Sequence, residues 1–280
     1  INEITDRKQI EKFLELSSVS TVQEGKFTKE ELKDLIINKY SKGLRKLLCY
    51  SFLSKEEILY YSFVLSKTED EVLLKCMRDI MCSSSIHRKN EVEESLIILK
   101  KSKESYQRIA ERNILLNSQA IKEDISLELA SKVLYSKEEY QARGISELLY
   151  DQEELNKEQL LTAADSINSS NSERQVKFIG KLTKDGYYKD TGLLMPTLRI
   201  IDGVKHDFQL DYIKRTVGIC KEPFILLPSL KMYTETNSRE ECEKLQSDLS
   251  KVKKEDIISS LDSDLSLLSA TKSKVKEKTI

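Results

Sequence analysis

Between Lys181 and Lys189 the chain reads KLTKDGYYK, where its residue types come nearest to a recognisable chemistry. Lys181, Lys184 and Lys189 supply amines that pair with phosphates, and Tyr187 and Tyr188 supply rings on which unpaired bases stack. Arg199 and Lys205 lie downstream in the same basic region. From Arg174 to Thr234 eleven Lys or Arg face six Asp or Glu, a local excess hidden in a whole-chain charge of -1. If the protein touches DNA or RNA, these seven residues are the expected contacts. The competing expectation is a solvated hairpin tip whose tyrosines cover the adjacent sheet.

Catalytic chemistry finds less material. His87 follows a serine run, where an imidazole base activates a hydroxyl, but no acidic residue is placed by the sequence to orient it. Arg199 and His206 form R-x6-H, which resembles the Arg-His pair of helical HEPN-type ribonucleases. The resemblance covers these two residues and implies a divergent ribonuclease with both on one helix, whereas Asp202-Gly203 between them reads as a turn. Cys76 and Cys82 lack the spacing of a zinc knuckle, and Asp202, Asp207 and Asp211 lack the downstream residues of a metal-dependent nuclease. Phosphate-loop, dinucleotide, nucleophile-elbow and HExxH signatures are absent. No catalytic residue, metal or cofactor is expected, and the balance points away from an enzyme.

Composition narrows the setting. Five cysteines, an odd number without disulfide-framework density, read as free thiols in a reducing compartment. No apolar run approaches the roughly 18 residues of a membrane span, and INEITDRKQI lacks the apolar core of a secretory signal. A soluble cytoplasmic protein with no membrane partner is the expectation.

The elements that must position these residues are helical up to about residue 170. No proline precedes Pro196, and helices are expected over 4–16, 29–42, 44–53, 55–66, 69–82, 90–118, 122–134, 137–150 and 157–168. Four starts carry a capping box with a flanking hydrophobic staple: Thr28 with Glu31, Ser54 with Glu57, Ser136 with Glu139 and Asn156 with Gln159. Their uneven spacing reads as local punctuation rather than as an internal repeat. Over 90–118, Val92, Leu96, Leu99, Lys103, Tyr106, Ala110 and Asn113 alternate at intervals of four and three. That pattern predicts one long helix, a surface for a protein partner or for self-association.

Beyond 170 the character changes. SINSSNSE suits a linker, and all three prolines and five of the eight glycines fall between Gly180 and Pro228. RQVKFIGKL alternates, and Asp202-Gly203 favours a hairpin turn. The predicted fold is therefore mainly α: an N-terminal multi-helix bundle (1–170), then a small α+β module with a β-hairpin and C-terminal helices (171–271), and a frayed tail (272–280). Helices return over 209–217, 239–252 and 255–270. Three functions fit: a non-enzymatic intracellular scaffold or regulatory protein docking a protein partner, a nucleic-acid-binding regulator using 174–234, and the divergent ribonuclease.

Overall fold

A computed structural model describes residues 7–18, 25–37, 43–49, 53–83, 89–117, 123–149, 155–220 and 222–251. The expected helix over 255–270 and the tail over 272–280 lie outside these. The chain packs as two compact units, Ile1–Met195 and Pro196–Ile280. Every element among the described residues is a helix.

The first unit opens with α1 (Arg7–Ser17), α2 (Lys29–Ile37), α3 (Leu44–Leu48) and α4 (Lys55–Ser66). Leu16, Leu32, Leu44, Leu47 and Ile58, all fully buried, supply their core. The cap residues act as their chemistry dictates. Thr28 Oγ1 accepts from the Glu31 N–H at 3.2 Å while Glu31 takes the Thr28 N–H at 2.9 Å, and Ser54 and Glu57 do the same for α4. Gly43, at φ 70°, turns the chain into α3 in a left-handed conformation that a side chain would resist.

A regular series follows: α5 (Glu71–Met81), α6 (Lys89–Lys101), α7 (Ser105–Leu116), α8 (Glu123–Val133), α9 (Glu139–Glu147), α10 (Lys157–Ser169) and α11 (Glu173–Lys184). They alternate as paired neighbours. α5, α7, α9 and α11 each pack on the next, while α6, α8 and α10 do so alongside. The first residues of α5, α7, α9 and α11 stand 34 positions apart, and the helix Asp207–Ile219 of the second unit keeps the period. A fixed period of helix pairs is the signature of stacked repeats, in which each pair buries its apolar face on its neighbours. The four predicted capping boxes remain unevenly spaced, while the expectation of a simple N-terminal bundle is corrected accordingly.

Gln107, Gln141, Gln175 and Gln209, again 34 apart and all buried, explain the repeat physically. Gln141 Oε1 accepts from the N–H groups of Lys137 (2.7 Å) and Glu138 (3.1 Å), satisfying the start of its own helix. Its Nε2 donates to the carbonyls of Asn168 (3.1 Å) and Ser170 (3.0 Å), at the entrance to α11. Gln107 repeats the arrangement with Lys103, Glu104, Leu134 and Ser136. A carboxamide has two acceptor sites and two donors, so both side chains are saturated without water. Leu73 occupies the equivalent place on α5, and there the Ser102 carbonyl takes the Arg108 guanidinium instead, at 3.0 Å.

This network corrects two expectations. The predicted single helix over 90–118 is two helices, because Gln107 captures the N–H groups of Lys103 and Glu104 and starts α7 afresh. Among the described residues of 90–118 no single long helix is left for self-association. Ser136 is not a helix cap either: the cap position of α9 is Glu138, and the Ser136 hydroxyl donates to Asn168 Oδ1 at 2.8 Å. Asn156 does cap α10, with Gln159 completing its box.

The predicted β-hairpin module is also helical. SINSSNSE is the end of α10 and the cap of α11, where Ser172 accepts from the Gln175 N–H, and not a linker. RQVKFIGKL places Val176, Ile179 and Leu182 on one buried face at intervals of three, a spacing that fits a helix as well as its alternation fits a strand. Then come α12 (Gly186–Asp190) and, reaching into the second unit, α13 (Leu194–Ile201). Asp202-Gly203 closes the α13 C-terminus, with the Asp202 N–H donating to the Leu198 carbonyl at 3.1 Å.

In the second unit α14 (Asp207–Ile219) packs on α15 (Pro223–Glu235) and α16 (Arg239–Lys251). Pro196 and Pro223 occupy first helical turns, where no N–H is required. Gln209 again bridges, accepting from Lys205 (2.8 Å) and His206 (2.9 Å) and donating to Thr234 (3.2 Å) and Thr236 (2.8 Å).

Candidate binding groove between α9 and α11

The 34-residue register brings the same positions of α5, α7, α9 and α11 into line. One such column reads Lys75, Ile109, Arg143, Lys177; another reads Asp79, Asn113, Glu147, Lys181. Between α5 and α7 this line is tied shut. Asp79, whose side chain is 15% exposed, is paired by Lys46 and by Arg112 at 3.2 Å, and Arg112 also donates to Asn113 Oδ1 at 2.8 Å.

Between α9 and α11 it is open, as a groove of about 370 Å³. Two glycines shape it. Gly144 on α9 allows α11 to approach closely, since a Cβ there would lie 2.4 Å from Val176 Cγ1. Gly180 on α11 has open space where its Cβ would stand, and it lines the groove.

Charge on the groove is uneven. At the start of α11 Glu173 takes both Arg143 (2.6 Å) and Lys177 (3.0 Å), and Glu147, at the end of α9, lies 3.6 Å from Arg143. The Lys177 hydrogen bond, with that of Arg143, holds the Glu173 carboxyl below its ordinary range. Further along α11 stand Lys181 and Lys184, both exposed; Lys181 makes no ion pair among the described residues. Lys177, Lys181 and Lys184 follow at intervals of four and three, so they form a single stripe along α11.

The residues expected to contact nucleic acid are partly dispersed. Lys181 and Lys184 line the groove. Tyr188 on α12 is fully buried, with Tyr187 edge-on to it at 5.5 Å and only partly exposed, and Lys189 is half-buried. The pair does not offer two free stacking faces. Arg199 is exposed in the last turn of α13, and Lys205 is exposed ahead of α14. His206 sits at the α14 start with its ring stacked on Phe208 at 5.2 Å, so Arg199 and His206 occupy different elements on either side of the Asp202-Gly203 turn. The ribonuclease resemblance gains no support from that placement. His87 lies outside the described residues. Among those described, no cluster of three metal-ligating side chains forms.

Sequence reasoning missed the bridging glutamines and the groove, although the 34-residue recurrence of Gln was there to be read. It also missed Glu111. The equivalent positions on the other pairs are Met77, Ile145, Ile179 and Ile213, all fully buried core residues, and Glu111 is fully buried in their place. Ser102 hydrogen-bonds one carboxyl oxygen and the other has no partner; burial pushes the acid up to about 8.

No family model, no curated protein and no solved structure matches the chain. Among the described residues, no helix is long and apolar enough to cross a membrane.

Proposed function

We propose that the protein is a non-enzymatic docking scaffold: a stack of helix pairs that holds an extended segment of a partner protein in the groove between α9 and α11. The observation that carries this is the contrast between seams. The α5–α7 line is filled by an Asp79-centred ion-pair cluster, while the equivalent α9–α11 line is open and floored by Gly180. Repeat stacks present such grooves on surfaces fixed by the stacking itself, which keeps the ordering cost of binding on the partner's side. A cytoplasmic setting belongs to the same proposal and is supported by five free cysteines.

Display of random linear peptides on the purified chain tests the reading, with affinities of enriched peptides measured by fluorescence anisotropy. Gly180→Phe places a ring in the groove without meeting a neighbour at its Cβ. Saturable binding that Gly180→Phe abolishes, with the melting temperature retained, is the expected result. Failure to enrich any peptide, or enriched peptides indifferent to Gly180→Phe, would overturn it.

A further inference from the structure

We infer that α15 and α16 carry an apolar docking surface whose occupant is the chain's own segment 256–268. This surface is separate from the α9–α11 groove, and the inference does not rest on the docking reading above. α14 starts at Asp207 and α16 at Arg239, 32 residues later rather than 34. The same shortening by two appears in the bridging glutamines: Gln209 donates to carbonyls 25 and 27 residues on, Gln141 to carbonyls 27 and 29 residues on. Ser238 accepts from the Glu241 N–H at 3.2 Å, as Ser172 accepts from the Gln175 N–H at 3.3 Å at the start of α11. α16 is therefore the first helix of a further pair, and its register against the earlier pairs is fixed.

Its burial is not that of a completed pair. Ile213 and Val217 on α14 are buried, as are Ile179 and Thr183 on α11, whereas the residues at the same places on α16, Leu245 and Leu249, are half-buried. Met232 on α15 is 48% exposed, while its counterparts Ile98 and Ser166 are buried and Lys132 and Ile200 half-buried. Each pair of a repeat stack buries its apolar face on the next element, and the sequence after Lys251 has the residues to do it. α15 buries Leu226, Ser229, Leu230 and Tyr233, which stand 19, 22, 23 and 26 residues past Asp207. The same offsets from Arg239 give Ile258, Leu261, Asp262 and Leu265, and Leu268 follows three residues on. Ile258, Leu261, Leu265 and Leu268 alternate at intervals of three and four, an apolar stripe with Asp262 at its edge. Four residues separate this segment from α16, against the three that join α14 to α15. A tether that short gives the segment a high effective concentration at the surface, whereas a second copy would lose translational and rotational freedom on docking.

Amide hydrogen exchange of the full chain, read by mass spectrometry beside light scattering, tests the assignment. Amides over 256–268 are expected to exchange at least about tenfold more slowly than an unstructured chain of the same sequence. Met232→Lys alters a side chain that is exposed on α15, so α14 should keep its protection, yet exchange over 256–268 should rise about tenfold or more. Met232→Leu should leave it unchanged. Leu261→Asp with Leu265→Asp should release 256–268 and also speed exchange around Leu245 and Leu249, whereas Ser263→Asp, off the stripe, should do neither. Absence of protection over 256–268 in the unsubstituted chain, or protection indifferent to both Met232→Lys and the Leu261→Asp, Leu265→Asp pair, would overturn the inference. Protection that fades on dilution as light scattering reports a dimer falling apart would overturn it too, and would assign the surface to a second copy.

Discussion

Val176 occupies the space that residue 144 leaves by being glycine: a Cβ on residue 144 would lie 2.4 Å from Val176 Cγ1 and 3.5 Å from Ile167 Cγ2. Contacts that short do not occur between real atoms, so the spacing of α9 and α11, and with it the width of the groove, is set by this one position. Gly144→Ala should therefore destabilise the protein by about 1 to 3 kcal/mol, although Ala is the better helix former. Chemical denaturation measures the change. Combining it with Val176→Ala should recover part of the loss, because the clash is with that side chain and not with backbone.

Gly180 makes the opposite case on the neighbouring helix. Nothing lies within 4 Å of where its Cβ would be. Gly180→Ala should stabilise by roughly 0.5 to 1 kcal/mol through backbone entropy alone, read as a higher denaturation midpoint at an unchanged slope. A loss of stability would mean that the groove floor is packed more tightly than the structure has it.

Gln141 joins two helix pairs through four hydrogen bonds, and its replacement by Leu removes all four while leaving four backbone groups to find other partners. An unsatisfied buried polar group costs about 1 to 3 kcal/mol, so a total of about 3 to 5 kcal/mol is expected after partial rehydration. Gln141→Glu is the sharper test. Its ionised carboxylate can still accept from Lys137 and Glu138 but turns an oxygen toward the carbonyls of Asn168 and Ser170. The variant should be strongly destabilised at pH 7 and recover part of its stability at pH 4, where a protonated acid donates to one of them.

How much of this was legible follows from what each residue needs in order to act. Thr28, Ser54 and Asn156 act within one turn of their own helices, so their roles could be read from four consecutive residues. Ser136 has the same local pattern, but its hydroxyl is taken by Asn168, 32 residues away, and the helix start passes to Glu138 and Gln141. The break between α6 and α7 was hidden because Gln107 does the work usually given to a Ser or Asp cap. Around RQVKFIGKL and Asp202-Gly203 the sequence predicts strands, because glycine and proline there fit sheet punctuation as well as helix ends. Pro196 and Pro223 stand in first helical turns, where the missing N–H costs nothing. The groove depends on α9 meeting α11, which only the 34-residue recurrence of glutamine could have placed.

The buried acid gives the last prediction, and its sign follows from linkage. Glu111 ionises near 4.5 in an exposed chain, whereas burial holds its folded form protonated up to about 8. Between these values the unfolded state has released a proton that the folded state keeps, so this group lowers stability as pH rises from 4.5 to about 8. The contribution is fully favourable to folding below that window and lost above it. At 1.36 kcal/mol per unit the difference is at most roughly 5 kcal/mol, and local rearrangement that admits water would reduce it. Glu111→Gln keeps a group able to bond Ser102 and has no proton to lose. Urea denaturation of both proteins at pH 5 and pH 8 should show near-equal stabilities at the lower pH and a variant more stable by over about 1 kcal/mol at the higher. Glu111→Ile, which restores the residue found at 145, 179 and 213, should remove the same pH dependence. If the wild-type protein loses no more stability than Glu111→Gln between pH 5 and pH 8, then Glu111 is ionised in the folded state and its carboxylate has access to water.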